Sequence, residues 1–241
     1  MDFRLDKLLV MQAFGTRTQA QQLIRRGSVT VSGVPVRDPS LHVNPEEVLV
    51  NGQSISYREH YYLMMNKPAG VLTAARDPKQ PTVMDLLPPL FHAREVMPVG
   101  RLDKDTTGLL LFTDNGAMAH FMLSPRRHVD KTYLARVDAP LTVEDIDAFA
   151  RGLVLPDFTC ESASLEILED GCSGRLTIHE GKFHQVKRMF EARGKNVTRL
   201  HRETFGPLVL GDDLPEGKYR SLTDEEIALL RPYDISMENE K

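Results

Sequence analysis

The 241-residue sequence contains no tryptophan and only two cysteines, Cys160 and Cys172. Neither cysteine stands in a C-x-x-C pair or in a Cys/His spacing typical of a metal site, so we expect reduced thiols and no bound metal. No apolar run is long enough for a membrane helix, and no basic leader or lipidation motif is present, which predicts a soluble, cytoplasmic protein without a membrane partner. Gly-rich phosphate loops are also missing, so we expect no small-molecule cofactor.

The chain also has no excess of positive charge, and its net charge is −4. The charges are nevertheless segregated along the chain. The basic side chains between 182 and 202 are Lys182, Lys187, Arg188, Arg193, Lys195, Arg199 and Arg202, against one acid, Glu191. Residues 126–136 are also basic, whereas residues 143–170 are strongly acidic. This pattern favours one polyanion-binding face, although ordinary solvated charges that cluster only in the linear sequence are the alternative.

The first sixty residues are predicted to form a small unit of two helices and short strands. Apolar spacing over 5–9 predicts the first helix, and Thr18 is expected to cap a second helix that ends at Gly27. Alternating valines over 29–36 and 48–50 predict the strands.

The stretch "RLDKLLVMQAFGTRTQAQQLIRRGSVTVSGVPV" within this unit resembles an S4 domain, a small RNA-binding module. The resemblance implies that residues 1–59 bind RNA. Arg17, Arg25 and Arg26 flank the second helix, where they can meet phosphates. A generic two-helix cap is the alternative.

Residues 60–232 are predicted to form a larger α+β domain, followed by an acidic flexible tail over 233–241. The predicted strands are "YYLMMNK", Leu109–Phe112, "KTYLARV", and two near 163–168 and 175–179. One predicted helix follows Asp114 or Asn115, and another opens at Thr142 with Asp145 in a capping box. A helix with a basic surface has the buried stripe Val186, Met189 and Phe190 and ends at Gly194, and a last helix covers 223–230.

The segment "GRLDKDTTG", residues 100–108, places acids directly before a buried strand. A carboxylate at such a point is held on rigid backbone at a cleft edge, which suits Asp103 as a positioned nucleophile. Asp105 and the following threonines are expected to hold the loop by local hydrogen bonds to the backbone. The alternatives are an ordinary polar loop, or paired carboxylates of a glycosidase or metal-dependent nuclease.

Several stretches together resemble the RsuA branch of pseudouridine synthases. They are "YLMMNKPAGVLT", "GRLDKDTTGLLLFT", "SPRRHVDKTYLARV", "HEGKFHQVKRMFEARGKNVTRLHRE" and the closing "LPEGKYRSLTDEEIALL". Together with the unit that resembles an S4 domain, they extend the resemblance over nearly all of residues 4–230. It implies an isomerase that converts a uridine of ribosomal RNA to pseudouridine without metal or cofactor. It also implies a catalytic domain built on a mixed, mostly antiparallel sheet with a central cleft.

The resemblance implies three catalytic residues. Asp103 matches the family's essential aspartate, Tyr133 the tyrosine that stacks on the target base, and Lys187 the basic position that pairs with the aspartate. At about 4 Å and an effective dielectric constant near 20, such a pair attracts by about 4 kcal/mol before desolvation, enough to keep the aspartate charged in a pocket. Taken on spacing alone, Tyr133 also suits a half-buried strand position and Lys187 a solvated helix face.

Further residues are expected to contact the substrate or RNA: Arg101, Leu200 as an apolar wall, Lys67, Arg126, Arg127, His184, Gln185 and Arg188. The form "EGKFHQVKRMF" and the compact C-terminus are similar to enzymes that modify uridine 516 of 16S ribosomal RNA. Phe183 departs from the Tyr or Asn found in many relatives. A 23S ribosomal RNA synthase of the same family and a non-catalytic RNA-binding assembly factor are the alternatives. We expect a monomer that acts on ribosomal RNA.

Overall fold

The computed structural model describes residues 2–233. In chain order its helices and strands are β1 (Phe3–Arg4), α1 (Leu5–Met11), α2 (Arg17–Arg25), β2 (Val29–Val31), β3 (Val34–Pro35), β4 (His42–Val43), β5 (Val48–Val50), β6 (Gln53–Ser54), β7 (Tyr62–Lys67), α3 (Pro89–Ala93), β8 (Met97–Pro98), β9 (Thr107–Thr113), α4 (Gly116–Leu123), β10 (Lys131–Val137), α5 (Val143–Arg151), β11 (Ser164–Ile167), β12 (Ser173–Ile178), α6 (Gln185–Glu191), β13 (Val197–Phe205), β14 (Leu208–Val209), β15 (Tyr219–Ser221) and α7 (Asp224–Leu230). Short 3₁₀ turns separate several of them.

The chain divides into two compact units. The N-terminal unit extends to Tyr61 and also includes Leu87–Val96, and the larger unit contains 62–86 and the chain from Met97 onward. The predicted boundary after residue 59 places Leu87–Val96, the segment that contains α3, in the larger domain. In the structure this segment belongs to the N-terminal unit.

The N-terminal unit packs α1 and α2 over the apolar side of short strands. Its core contains Leu5, Leu8, Leu9, Ala20 and Ile24, all fully buried. The strands form a four-stranded sheet in the order β3-β2-β5-β6 and a separate β1-β4 pair.

The start of α2 differs from the prediction. Thr16, not Thr18, is its N-cap, because Thr16 Oγ1 accepts from the Gln19 N–H while Gln19 Oε1 accepts from the Thr16 N–H. Thr16 and Thr18 are threonines within one turn of each other, so side-chain chemistry alone does not identify the cap. The reciprocal hydrogen bond with Gln19 identifies Thr16.

The larger unit is organised around one sheet in the order β11-β12-β10-β13-β9-β7-β15, with β14 on β13 and β8 on β9. β13 and β9 pair in parallel, and the other pairs are antiparallel. This arrangement confirms the predicted α+β class with a mixed, mostly antiparallel sheet. The parallel pair matters for the site, since it joins the strand that follows Asp103 to the strand that carries Leu200.

Gly108 is required where β9 meets β13. Its φ is +107°, and a Cβ built there would collide with the backbone of Arg202. A side chain would therefore push apart the paired strands β9 and β13, which gives the glycine of the "DTTG" segment a structural reason.

Asn115 is the cap of α4, because its Oδ1 accepts from the Met118 N–H at 3.0 Å. At α5, Asp145 accepts from the Thr142 N–H as predicted. The sequence reading missed β13, which lies beside the predicted basic helix and carries exposed charges between its buried positions.

No helix within residues 2–233 is long and apolar enough to cross a membrane. Tyr233 ends a 3₁₀ turn, Arg231–Tyr233, rather than opening a tail. The rest of the predicted flexible tail, 234–241, lies outside the described residues.

Candidate active site

A narrow cleft in the larger unit brings together the three residues expected to be catalytic. Asp103 lies in the loop before β9, Tyr133 is on β10, and Lys187 is on α6. All three line one cavity of about 60 Å³, together with Ile178 and Leu200. The cleft therefore combines a charged end with an apolar wall.

The charged end is a lysine shared by two carboxylates. Lys187 Nζ lies 3.0 Å from Asp103 Oδ2 and 2.5 Å from Asp105 Oδ1. His184 Nε2 is 3.6 Å from the other oxygen, Asp103 Oδ1. The Asp103 side chain is 27% exposed and that of Asp105 74% exposed. Only Asp103 is therefore partly enclosed by the cavity.

Burial and ion pairing act in opposite directions on Lys187. Burial lowers its pKa, but the hydrogen bonds to Asp105 and Asp103 outweigh burial, and the pKa is raised above the ordinary lysine value. The hydrogen bond from Lys187 in turn lowers the pKa of Asp105. At neutral pH, Lys187 is therefore a cation and Asp105 an anion.

The backbone of the Asp103 loop is held by a buried lysine. Lys67, at the end of β7, is 0% exposed, and its Nζ donates to the carbonyl oxygens of Pro68 (2.9 Å), Asp103 (3.2 Å), Lys104 (3.4 Å) and Thr106 (3.0 Å). Burial lowers the pKa of Lys67 to about 8. The expected RNA contact of Lys67 is corrected by this finding, since its ammonium faces the loop and not the solvent.

Thr73 provides a second anchor for the same loop. Its Oγ1 donates to the Leu102 carbonyl at 2.8 Å and lies 3.2 Å from the Leu102 N–H. Asp105 accepts a hydrogen bond from its own backbone, as predicted, and also pairs with Lys187, whereas Thr107 Oγ1 lies 2.8 Å from His201 Nδ1, outside the loop. The anchors lie more than twenty residues from the loop in sequence, where a local pattern does not reveal them.

Tyr133 forms the aromatic wall of the cleft. It is 7% exposed and shares its face of β10 with the buried Lys131, Ala135 and Val137. It is paired across the sheet with Arg202 of β13. Leu200 is buried on the same strand as Arg202 and lines the cleft as expected.

Three of the arginines that are expected to contact RNA have exposed side chains. Arg101 is exposed and lines the cleft, and Arg126 and Arg127 are exposed in a 3₁₀ turn. The guanidinium of Arg127 lies 4.1 Å from the Phe121 ring centroid. These three arginines remain available to phosphates.

Residues at the start of α6 are more constrained than the sequence suggested. Gln185 is buried, its Oε1 accepts from the Lys182 N–H at 3.0 Å, and it lines the cleft, so its expected contact with the substrate stays a prediction. Arg188 forms an ion pair with Asp157. His184 has a left-handed backbone (φ 49°), and its ring is stacked on the exposed Phe183 at 3.8 Å.

In the N-terminal unit, Arg17, Arg25 and Arg26 are all exposed. Arg17 also pairs with the buried Asp6, with its Nε 3.2 Å from Asp6 Oδ2. Within residues 2–233, no cluster of three or more His, Cys, Asp or Glu side chains is arranged to hold a metal ion.

Comparisons with known proteins agree with this geometry. A family model described as RNA pseudouridylate synthase matches residues 61–192, and one described as S4 domain matches residues 3–49. The chain is 43% identical over 233 residues to the Bacillus subtilis protein named Uncharacterized RNA pseudouridine synthase YtzG, covering 94% of this chain and 98% of that relative. It is 42% identical over 230 residues to Ribosomal small subunit pseudouridine synthase A of Escherichia coli K12, covering 93% and 98%.

A solved structure described as a crystal structure of pseudouridylate synthase superposes with a TM-score of 0.67 at 38% identity. It covers 95% of this chain and 99% of the other. The similarity therefore extends over both units and includes the cleft.

Proposed function

The chain belongs to the RsuA-type RNA pseudouridine synthases, which are isomerases, and from this premise we propose that it converts one uridine of ribosomal RNA to pseudouridine with Asp103 as the essential acid. The observation that carries the role of Asp103 is its place in the cleft. Its carboxylate is enclosed between Lys187 Nζ at 3.0 Å and the walls formed by Tyr133 and Leu200.

The reaction is a rearrangement within one nucleotide. The N1–C1′ bond breaks, uracil turns, C5 bonds to C1′, and the proton on C5 is lost while N1 gains one. Addition of Asp103 to the base, its attack on C1′, and abstraction of a sugar proton remain three routes that all use the ionised carboxylate. Lys187 supplies the fixed positive charge opposite that carboxylate, which costs no reorganisation during the reaction.

Tyr133 and Leu200 have different tasks in this proposal. The Tyr133 ring gives a flat surface on which uracil stacks, and Leu200 closes the apolar side. The target base must leave its stack before it enters the cleft, which costs a few kcal/mol. Arg101 is exposed in the wall of the cleft, and Arg126 and Arg127 are exposed in the 3₁₀ turn before β10, so we expect their contacts to phosphates to offset this cost.

The proposed substrate is small-subunit ribosomal RNA, at uridine 516 of the 16S molecule. Its support is the relative named Ribosomal small subunit pseudouridine synthase A, to which this chain is similar over nearly its whole length. Residues 1–59 are proposed to bind the RNA and residues 60–232 to carry the reaction. We propose that the protein acts as a cytoplasmic monomer.

Pseudouridine mapping in ribosomal RNA tests activity and target together. RNA from cells lacking the gene is compared with RNA from cells that express wild type, Asp103→Asn, or Asp212→Asn as an exposed-acid control. We expect one 16S uridine to lose its modification in the deletion strain and to regain it with wild type and Asp212→Asn. Loss at a 23S position instead indicates the large-subunit alternative. Restoration by Asp103→Asn contradicts the role of Asp103.

A further inference from the structure

A second and larger cavity continues from the catalytic cleft. It has a volume of about 320 Å³ and shares Arg101, Tyr133, Gly181 and Lys182 with the cleft. We name it the flanking cavity. Because Tyr133 lines both spaces, a base in the cleft and a base in the flanking cavity would both contact this one aromatic side chain. That adjacency fits two neighbouring nucleotides of one strand.

The wall of the flanking cavity contains a buried acid with an unused oxygen. Glu180 is 8% exposed, and its Oε1 accepts from the Glu161 N–H. Its Oε2 has no hydrogen-bond partner among residues 2–233. A buried carboxylate oxygen without a partner is costly, and such groups in folded proteins usually have a water, an ion or a ligand as partner.

The same wall contains a buried arginine with an unused donor. Arg202 is 2% exposed, and its Nε donates to the Leu109 carbonyl at 2.8 Å. Within the described chain its Nη2 has no hydrogen-bond partner. The guanidinium also lies 5.0 Å from the Phe205 ring centroid. The wall of the flanking cavity therefore contains an acceptor and a donor without protein partners, and both atoms are enclosed until their side chains turn toward the cavity.

The combination of a carboxylate acceptor and a guanidinium donor determines which base the flanking cavity can recognise. Guanine presents two N–H donors, at N1 and N2, beside the O6 acceptor on one edge. A carboxylate accepts from the first two, and a guanidinium donates to the third. Uracil has a single N–H between two carbonyl oxygens, and adenine has no oxygen acceptor. Arg101 and Lys182 are exposed on the wall shared with the cleft, where they can meet the phosphate of the same nucleotide.

We propose that the flanking cavity binds a guanine next to the target uridine, and that Glu180 and Arg202 turn toward this base and read it. The proposal rests on the proposed function, because it takes the occupant of the cleft to be a uridine in RNA. It assigns a specificity site that is separate from the Asp103–Lys187 pair. Glu180 and Arg202 then determine which uridine is accepted, not how fast the bond rearranges.

The test uses the full-length protein and fragments of small-subunit ribosomal RNA that contain the mapped uridine. The nucleotides immediately before and after that uridine are randomised. Conversion is measured in single turnover, and binding is measured in parallel with the Asp103→Asn protein. We expect guanine at one of the two positions to be favoured about tenfold over adenine in kcat/KM, with the maximal rate at saturating enzyme unchanged.

Two further arms separate base reading from a structural effect. With wild-type protein, inosine in place of the favoured guanine removes only the N2 amino group and should reduce kcat/KM several-fold. Glu180→Gln should reduce the guanine preference, since an amide no longer offers two acceptor oxygens, whereas Glu169→Gln, at an exposed turn, should retain it. The inosine arm needs no variant, so misfolding of Glu180→Gln does not affect it.

The outcomes distinguish this proposal from the proposed function. Conversion with equal rates for all four nucleotides at both positions, and no inosine effect, overturns the flanking-guanine site and leaves the synthase activity intact. Guanine-dependent binding without any conversion supports the site and contradicts the activity. RNA that is neither bound nor converted contradicts both.

Discussion

Lys67 Nζ donates to the carbonyl oxygen of Asp103 at 3.2 Å and thereby connects the end of β7 to the backbone of the residue proposed to attack the substrate. The same ammonium binds three further carbonyl oxygens of the larger unit. A buried cation is tolerated here because polar atoms surround it. The position of the Asp103 carboxylate therefore depends on a side chain that never touches the substrate.

Replacement of Lys67 by methionine keeps the length of the side chain and removes its donors. We expect Lys67→Met to lower the free energy of unfolding by about 3 kcal/mol, because several buried carbonyl oxygens lose a charged partner. Urea unfolding should show a lower midpoint with an unchanged slope. Lys218→Met, at an exposed lysine, is the control and should change the free energy by less than about 0.5 kcal/mol. Equal midpoints for the two variants would show that Lys67 is not an anchor.

Lys187→Met should affect chemistry and leave the fold intact. Lys187 is partly exposed on α6, so its loss creates no buried unsatisfied group of its own. It removes the cation that is 3.0 Å from Asp103. We expect kcat to fall by about 10² to 10³, in the range found when one fixed electrostatic partner is removed from an active site. Single-turnover pseudouridine formation at saturating enzyme measures this change.

Lys104 provides a matched control in the same loop. Its ammonium donates to Gln80 Oε1 at 2.7 Å and forms no ion pair with Asp103 or Asp105. Lys104→Met should therefore leave kcat within about twofold of wild type. A wild-type rate for Lys187→Met, or equal losses for both lysine variants, would contradict a specific role for Lys187.

Tyr133 can be dissected by two substitutions. Tyr133→Phe keeps the ring and removes only the hydroxyl group, whereas Tyr133→Leu removes the stacking surface. We expect Phe to bind RNA with near wild-type affinity and Leu to bind about tenfold more weakly, since stacking of a base on an aromatic side chain contributes about 1–3 kcal/mol. Binding to Asp103→Asn background proteins, measured by fluorescence anisotropy, separates affinity from turnover. Equal affinities for Phe and Leu would exclude a stacking role.

Local patterns were sufficient for much of the fold. The apolar run Leu109–Phe112 lies in the fully buried β9, and the alternation in "KTYLARV" places Tyr133 on the inner face of β10. Asn115 and Thr142 begin helices where their chemistry predicted. These features depend on neighbours a few residues apart, which a sequence displays directly.

Long-range contacts account for what the sequence did not reveal. The sequence predicts that Lys67 contacts RNA, and only the fold shows the four carbonyl oxygens that surround its ammonium. β13 was missed because Arg199, Arg202 and Glu203 hide its strand pattern. Arg202 is nevertheless buried. Its burial results from its position in the wall of the flanking cavity, which its neighbours in the sequence do not indicate.

The last prediction concerns the N-terminal unit, where Asp6 is fully buried and accepts hydrogen bonds from Arg4, Arg17 and Gln21. The Arg4 hydrogen bond is the largest cause that lowers the pKa of Asp6, and it outweighs burial, so the pKa lies well below the usual range. A carboxyl group whose pKa is lower in the folded than in the unfolded state stabilises the fold above its unfolded pKa, about 4. That stabilisation begins to decline as the pH falls below this value, and it is lost completely only as the pH passes the lower pKa of the folded state.

Asp6→Asn should therefore lower the free energy of unfolding of the N-terminal unit by about 1–3 kcal/mol at pH 7, and by clearly less at pH 3. NMR signals from α1 and α2, followed through a urea titration at both pH values, report this unit separately from the larger one. Asp212→Asn controls for general charge effects, because Asp212 is exposed. The sign follows from the direction of the shift: at pH 3 the unfolded state binds a proton at Asp6 that the folded state does not, so wild type has lost part of the stabilisation that the asparagine lacks at every pH. An equal deficit at pH 7 and pH 3 would mean that the charge of Asp6 does not stabilise this unit.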